Sequence, residues 1–268
     1  MRIGLSLRWT LRWLTTALLL ALVACTGVAQ RTGMPDLMTE SDETAPRKRA
    51  RIRLELAINY FNEGKTAIAL DELKQSIAVD AGLYEAHNLR GLIYMRLNEQ
   101  TLAEDSFRQA LVLNPKAANV QHNYGLLLCQ QGQMSAAADM LKAALADPTY
   151  GERAKSWMIL GLCQAKAGQA KAAETSLLNA YQLDPLNPVV AYHLGALFFK
   201  SGEYIQAQRF LAPLNASGLA NAESLWLGVK LARAQGDLPG MQRLGQVLAE
   251  RFQGSKERLW LERGNFDE

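Results

Sequence analysis

The sequence is short of the residues on which many enzymes and metal sites depend. Its 268 residues include only 3 histidines and 3 cysteines, and aromatic residues make up 7% of the chain. His87, His122 and His193 lie far apart and never recur at i, i+4, so they form no zinc-binding motif. Phenylalanine and proline are also scarce, whereas alanine and leucine are abundant. This composition favours packed helices over sheets, in which β-branched and aromatic residues dominate.

An excess of charge is also absent beyond the N-terminus. The net charge of +3 comes from Arg2, Arg8 and Arg12, because the first 24 residues contain no acid. Without these arginines the basic and acidic residues are equal in number, so nothing favours a nucleic-acid partner. The segment Asn59–Thr66 ends like a phosphate-binding loop, but it begins with asparagine where that motif needs glycine, and it follows a helical pattern. We therefore expect no enzyme activity, no metal and no small-molecule substrate.

The N-terminus has the parts of a bacterial lipoprotein signal. The three arginines precede an apolar run of 11 residues, Leu14–Ala24, which is too short to span a membrane and suits a signal peptide. The run ends in Leu-Val-Ala followed by Cys25, which resembles a lipobox. This pattern predicts a signal peptide over residues 1–24 and a covalent lipid on Cys25, with no other cofactor. An ordinary secretory signal with a chance cysteine and an uncleaved anchor are the alternatives.

The residues after the lipobox indicate where the protein is anchored and how. In lipoproteins of this kind, Asp after the cysteine favours the inner membrane, so Thr26 favours the periplasmic face of the outer membrane. Residues 25–49 have no helical period and mix Gly, Pro, Ser and Thr with charges of both signs, which predicts a flexible tether. As a coil it would span roughly 25–30 Å. The alternative is a segment that docks on the following domain.

From Ala50 onward the sequence repeats itself. Gly91, Gly125, Gly161 and Gly195 are spaced 34, 36 and 34 residues apart, and the surrounding pattern resembles the tetratricopeptide repeat. The clearest copy has the landmark residues Tyr84, Gly91, Tyr94, Ala103, Phe107, Ala110 and Pro115. Small landmark residues let the two helices of a repeat approach closely, and proline ends the second helix.

A second signal, independent of the hydrophobic pattern, marks the turn within each repeat. The same repeat position holds Gly or Asn, the residues that tolerate a left-handed helix end: Gly64, Asn98, Gly132, Gly168 and Gly202. Together the two signals predict an all-α, right-handed superhelical solenoid of about six tetratricopeptide helix pairs over residues 50–254. A capping helix and tail follow at 255–268, with Leu259, Trp260 and Leu261 available to cover the last repeat.

The chain is similar to a particular lipoprotein family over most of residues 50–252. The segments ARIRLELAINYFNEGKTAIALDELKQSI, HNYGLLLCQQGQ, LGLCQAKAGQAKAAE and ESLWLGVKLARAQGD, in this order behind a lipobox, resemble the PilW/PilF pilotins of type IV pilus biogenesis. The sequence departs from the family after Arg251-Phe252, where Gln253 stands in place of a common proline. The resemblance implies a scaffold that binds the pilus secretin and promotes its outer-membrane localisation and multimerisation. The alternative is a general periplasmic repeat lipoprotein that assists assembly of the envelope or of the peptidoglycan machinery.

The first helix of each repeat is expected to line a concave groove that binds the partner. Arg96, Lys166 and Lys200 occupy one repeat position, which predicts a row of positive charge with aromatic side chains beside it. Such a surface suits a peptide with acidic and apolar groups, although exposed basic side chains are often merely solvated. The predicted groove residues are Arg51, Phe61, Asn88, Arg96, His122, Lys155, Lys166, Tyr192, Phe199 and Lys200.

Cys129 and Cys163 are the only cysteines left once Cys25 carries lipid. The periplasm oxidises thiols, so an even pair there favours a disulfide. Both residues fall in the first helix of consecutive repeats, and the bond requires both side chains to point into the shared seam. The alternative is a pair of buried free cysteines, which are common small core residues.

Overall fold

The computed structural model describes residues 43–267, and within that range the chain forms thirteen α-helices and no strand. All of these helices belong to one compact unit. No helix within this range has the length and the hydropathy needed to cross a membrane. The predicted signal peptide over 1–24, the predicted lipidation site Cys25 and the predicted tether as far as residue 42 lie outside the described residues.

The helices form six successive pairs and a final single helix. Odd-numbered helices from α1 to α11 are the first helix (helix A) of a repeat, and even-numbered helices are the second (helix B). In chain order they are α1 (Ala45–Asn62), α2 (Thr66–Val79), α3 (Tyr84–Arg96), α4 (Gln100–Leu113), α5 (Ala118–Gln130), α6 (Met134–Leu145), α7 (Arg153–Lys166), α8 (Ala170–Leu183), α9 (Pro188–Lys200), α10 (Tyr204–Ala216), α11 (Ala222–Ala234), α12 (Leu238–Arg251) and α13 (Lys256–Arg263). The all-α tetratricopeptide fold expected from the sequence is confirmed.

The first helix begins earlier than the sequence pattern indicates. We expected the tether to run to residue 49, but α1 starts at Ala45. The Thr44 hydroxyl caps the helix by accepting a hydrogen bond from the Arg47 backbone N–H, and proline occupies a first-turn position, where its missing N–H has no cost. Arg47 also forms an ion pair with Asp80 at 3.2 Å. Periodicity alone missed this turn because the capping signals precede the first buried residue, Ala50.

Close contact between the two helices of a repeat explains the landmark residues. A Cβ atom on Gly91 would lie 2.5 Å from the Phe107 ring, and one on Gly161 would lie 2.6 Å from Leu177 Cγ. Both large side chains come from helix B and are fully buried. A larger residue at the glycine would therefore force the helices apart, at a cost of about 1–3 kcal/mol for overpacking.

The turns between helix A and helix B confirm the second sequence signal. Asn98 has φ 61°, and the four predicted glycines have φ between 75° and 81°. Gly236 takes the same conformation at the corresponding place in the sixth repeat. The sixth repeat is therefore aligned with the others through Gly236. In each turn the left-handed residue ends helix A and leads into helix B.

Consecutive repeats contact each other mainly through helix B of one repeat and helix A of the next, and additionally through neighbouring A helices. Helix α3 contacts both α1 and α5, α5 contacts α7, and α11 contacts α9, whereas the B helices within residues 43–267 pack on A helices rather than on one another. The A helices therefore form the more closely spaced, inner face of the stack, and the B helices form its outer face.

The single helix α13 takes the place that helix A of a seventh repeat would hold. It contacts both helices of the sixth repeat. Trp260 packs against Trp226, with ring centroids 6.1 Å apart, and Phe266 stacks on Trp226 at 5.4 Å. Trp260 and Leu261 cover the last core as expected, but Leu259 points outward and is 47% exposed. Phe266 supplies the cover that we had assigned to Leu259.

Candidate partner-binding groove

The predicted groove residues all lie on A helices, but they divide into two sets. At the N-terminal end, the Arg96 guanidinium stacks on the Phe61 ring at 3.6 Å and donates a hydrogen bond of 2.6 Å to the Phe61 carbonyl oxygen. Phe61 lies near the C-terminus of α1, where a cation is favourable. Arg96 therefore joins the first two repeats. Arg51 lies nearer the N-terminus of α1 and is partly buried.

Asn88 and His122 also hold repeats together and do not face a partner. Asn88 is buried, and its Oδ1 accepts a hydrogen bond of 3.0 Å from Asn123 Nδ2 on the next A helix. His122 Nδ1 lies 2.7 Å from Ser156 Oγ, again on the next A helix. Both were predicted as partner-binding residues. The prediction failed because consecutive A helices approach closely enough to enclose these side chains in the seam.

The longer connection between α6 and α7 adds Tyr150 to this seam. Its ring packs against the His122 ring with centroids 6.1 Å apart. Burial lowers the pKa of His122 from its ordinary value, while the nearby carboxylate of Glu152 partly opposes this shift. Burial also raises the pKa of Tyr150 to about 12. Ser156 is fully buried, so this serine–histidine contact has no route to a substrate and serves packing.

The open part of the groove lies on α7 and α9. Lys166 and Lys200 are exposed at the C-terminal ends of these helices and form no ion pair or hydrogen bond with other described residues. Phe199 lies beside Lys200 and packs on Tyr204, with ring centroids 5.7 Å apart. Tyr192 is partly buried and lies about two helical turns before Phe199 on α9. This surface combines two free cations with partly exposed aromatic rings.

Lys155 is at the other end of α7 and is already engaged. It forms an ion pair with Glu152, and its side chain is 64% exposed. The expected row of positive charge therefore reduces to Lys166 and Lys200, because Arg96 is bound to the first repeat. The third repeat, which lies between Arg96 and Lys166 in sequence, has the uncharged Gln130 at the equivalent position.

Cys129 and Cys163 meet in the seam between α5 and α7. In the structure the two sulfurs are bonded and the Cα atoms are 5.8 Å apart, within the range of about 4.4–6.8 Å that a disulfide needs. Cys163 is fully buried. The bond lies on the same pair of helices as the His122–Ser156 contact. The third and fourth repeats thus have two links across one seam.

Sequence reasoning missed two residues that build these links, Ser156 and Asn123. Ser156 had a detectable signal, because it stands five residues before the repeat glycine, where three other repeats have Ala86, Val120 and Val190. A serine at a buried apolar position needs a hydrogen-bond partner. Asn123 had no comparable signal. Within residues 43–267 no cluster of His, Cys, Asp and Glu is arranged to hold a metal ion.

The comparisons with known proteins agree with this architecture. Residues 54–118 and 124–188 match the tetratricopeptide repeat family. The chain is a tetratricopeptide-repeat protein, built from stacked helix pairs with one inner face.

Two relatives are similar over most of the chain. The type IV pilus assembly protein PilF of Pseudomonas aeruginosa is 28% identical over 204 residues, which cover 76% of this chain and 81% of PilF. A solved structure of PilF matches with a TM-score of 0.76 at 26% identity, over 82% of this chain and all of that one. The crystal structure of PilW, described as a widely conserved type IV pilus biogenesis factor, matches with a TM-score of 0.70 at 28% identity, over 78% and 96%. The chain is homologous to PilF and PilW, and this homology supports a role in type IV pilus biogenesis.

We predict that Cys129 and Cys163 have no free thiol in protein purified from an oxidising compartment. Alkylation without reductant should leave both unmodified by mass spectrometry, and alkylation after reduction should modify both. Closing a loop of this length contributes on the order of 3–4 kcal/mol in the chain-entropy model, so reduction should lower the free energy of unfolding. Two alkylated cysteines without reductant would show that the pair is merely packed.

Acid should weaken the fold partly through His122. Its folded-state pKa lies below the value of about 6.5 expected in the unfolded chain. The free energy of unfolding that His122 contributes is therefore complete above that pH and is lost as the pH falls below it, because the buried imidazole resists protonation. Between pH 7 and pH 5, urea titrations should show a smaller loss of unfolding free energy for His122→Gln than for the parent. His87 and His193, whose pKa values burial also lowers, account for part of the remaining loss. An equal loss in both proteins would contradict this assignment.

Proposed function

We propose that this protein is an outer-membrane lipoprotein of the pilotin type, which binds the type IV pilus secretin and promotes its outer-membrane localisation and multimerisation. The observation that carries the proposal is the match to PilF and PilW across most of all three chains. That match favours a pilus role over a general envelope-assembly lipoprotein. The proposed activity is binding and escort, without a catalytic step.

The proposed anchor is a lipid on Cys25 at the periplasmic face of the outer membrane. Two or three acyl chains on one cysteine suffice for stable attachment, since each buried CH₂ contributes about 0.8 kcal/mol. The segment between Cys25 and the first helix would then connect the membrane to the repeats. A secretin subunit bound to the repeats would travel with the lipoprotein to its destination.

The proposed secretin-binding surface is the open groove on α7 and α9. Lys166 and Lys200 offer two cations, and Phe199 and Tyr192 offer partly exposed aromatic surface. Tyrosine is enriched where binding energy is concentrated, and the two cations would attract an acidic partner. The surface suits a secretin segment with carboxylate and apolar side chains in alternation or on one helical face.

Replacing the lipidated cysteine should abolish anchoring. In Cys25→Ser the lipid acceptor is removed, so the precursor should stay uncleaved by the lipoprotein peptidase and secretin multimers should fall or collect in the inner membrane. Sucrose-gradient fractionation with immunoblots of both proteins measures this. Thr26→Ala, which keeps the lipobox cysteine, is the matched control. Normal outer-membrane fractionation of the Cys25→Ser protein would exclude the proposed anchor.

Reversing the two free groove charges should weaken secretin binding. Lys166→Glu with Lys200→Glu should lower the affinity for the secretin's periplasmic domains by about tenfold or more, because like charges then oppose an acidic segment. The melting temperature should hardly change, since exposed substitutions usually alter stability by about 0.5 kcal/mol or less. Lys116→Glu with Lys142→Glu makes the same charge change outside the groove and serves as the control. Unaltered affinity in the folded groove variant would show that secretin binds elsewhere.

A further inference from the structure

A cleft opens on the outer face of the fifth and sixth repeats, away from the A-helix groove. Its walls are the two B helices α10 and α12, and its floor is α11. The cavity has a volume of about 310 Å³. The apolar part of its lining comes from Leu211, Leu231, Leu244 and Val247, together with several alanine and glycine residues. B helices spread apart on the outer face of a curved stack, so such clefts form wherever side chains do not fill them.

Three repeat positions explain why the cleft is not filled here. Ala212 stands where the four preceding repeats have long side chains: Lys74, Arg108, Lys142 and Leu178. Asn215 stands where they have large apolar residues: Ile77, Leu111, Leu145 and Tyr181. Gly240, the third residue of α12, stands where the other five B helices have larger side chains: Ile68, Leu102, Ala136, Ala172 and Gln206. Each change removes volume or apolar surface from the same inter-repeat space.

The cleft is enclosed more fully than its counterpart between the first two repeats. That counterpart is lined by residues of α2 and α3 alone, including Lys74, Ile77 and Arg90. In the C-terminal cleft α12 supplies a third wall, from Asp237 to Val247. A side chain entering it would be surrounded on three sides.

Asn215 lowers the stability of the fold compared with the apolar residues at the equivalent positions of the other repeats. Its Nδ2 donates to the Ser224 carbonyl oxygen at 2.9 Å, but its Oδ1 is buried without a hydrogen-bond partner among the described residues. An unpaired buried acceptor costs about 1–3 kcal/mol, and the other repeats avoid it with an apolar residue. Departures from good packing of this kind are expected at functional positions.

The charges at the cleft leave one cation available. The Asp237 carboxylate accepts a hydrogen bond of 2.9 Å from the Gly240 backbone N–H and so caps α12. Gln235 donates to Gln208 at 3.2 Å. Arg243 is exposed and forms no ion pair or hydrogen bond with any other described residue. An incoming carboxylate would therefore find a free guanidinium beside an apolar cavity.

We propose that this cleft binds a second protein partner through one aromatic or branched aliphatic side chain, with an acidic residue next to it in sequence that pairs with Arg243. The volume is at the lower limit for small-molecule pockets, about 300–1,000 Å³, and suits a single anchoring side chain of a polypeptide. The inference goes beyond the proposed secretin binding, because the cleft and the A-helix groove lie on opposite faces of the stack. The protein then holds two polypeptides at once.

The test uses acetyl-Phe-Glu-amide as the probe and acetyl-Phe-Lys-amide as its charge-reversed counterpart. Both are titrated into the polypeptide from Thr26 onward, which keeps the whole compact unit Thr44–Glu268, while methyl NMR spectra report on Leu231, Leu244 and Val247. The acidic peptide should shift these methyl signals and bind about two- to fivefold more tightly than the basic one, the range for one exposed ion pair.

Two variants decide the outcome. Ala212→Leu fills the cavity with the residue found in the fourth repeat and should lower the affinity for the acidic probe by about tenfold. Ala136→Leu, at an exposed position of α6, should leave this affinity unchanged. Arg243→Gln should abolish the preference for the acidic probe and keeps the test decisive if Ala212→Leu misfolds. Shifts that persist in Ala212→Leu, or equal affinity for both peptides, would overturn the proposal. The affinity for secretin should be unaltered in Ala212→Leu and in Arg243→Gln. A failure of the proposed cleft binding is therefore distinct from a failure of the proposed function.

Discussion

The close approach of helix A to helix B within each repeat is the constraint on which the rest of the structure depends. It requires a small residue on helix A opposite a large side chain on helix B, as Gly91 meets Phe107 and Gly161 meets Leu177. Because each pair is rigid, pairs stack in a regular way, and the A helices come to face one another across narrow seams. Both the inner groove and the outer cleft follow from that spacing, since crowding on the A side leaves the B helices spread apart.

Polar links across the seams then determine which part of the groove is free. Arg96 binds the end of α1, Asn88 bonds to Asn123, and His122 bonds to Ser156. These side chains hold neighbouring repeats in register, so they cannot also contact a partner without breaking the stack. The surface on α7 and α9 has no such link at Lys166 and Lys200, which is why partner binding is assigned there. The N-terminal half of the inner face thus contributes to stability, and the proposed partner-binding surface lies in the C-terminal half.

The sequence predicted the repeats and turns well because both depend on local residues. Gly or Asn at the turn requires only its own backbone conformation, and the spacing of the glycines reveals the helix pairs. The groove was predicted less well, because a side chain on an A helix faces solvent or the next repeat according to seam width, which no single repeat specifies. Asn88 and His122 were misassigned for this reason. The outer cleft became visible only when Ala212 and Asn215 were compared with their equivalents in the other repeats.

Hydrogen exchange of the protein with and without the secretin's periplasmic domains tests the proposed secretin binding most directly, because it locates the interface without any mutation. Binding should slow exchange in α7 and α9, above all in the last turns of these helices near Lys166 and Lys200, while α8 and α10 change little. Protection confined to the B helices, or no protection in either set, would contradict the assignment of the A-helix groove as the secretin-binding surface.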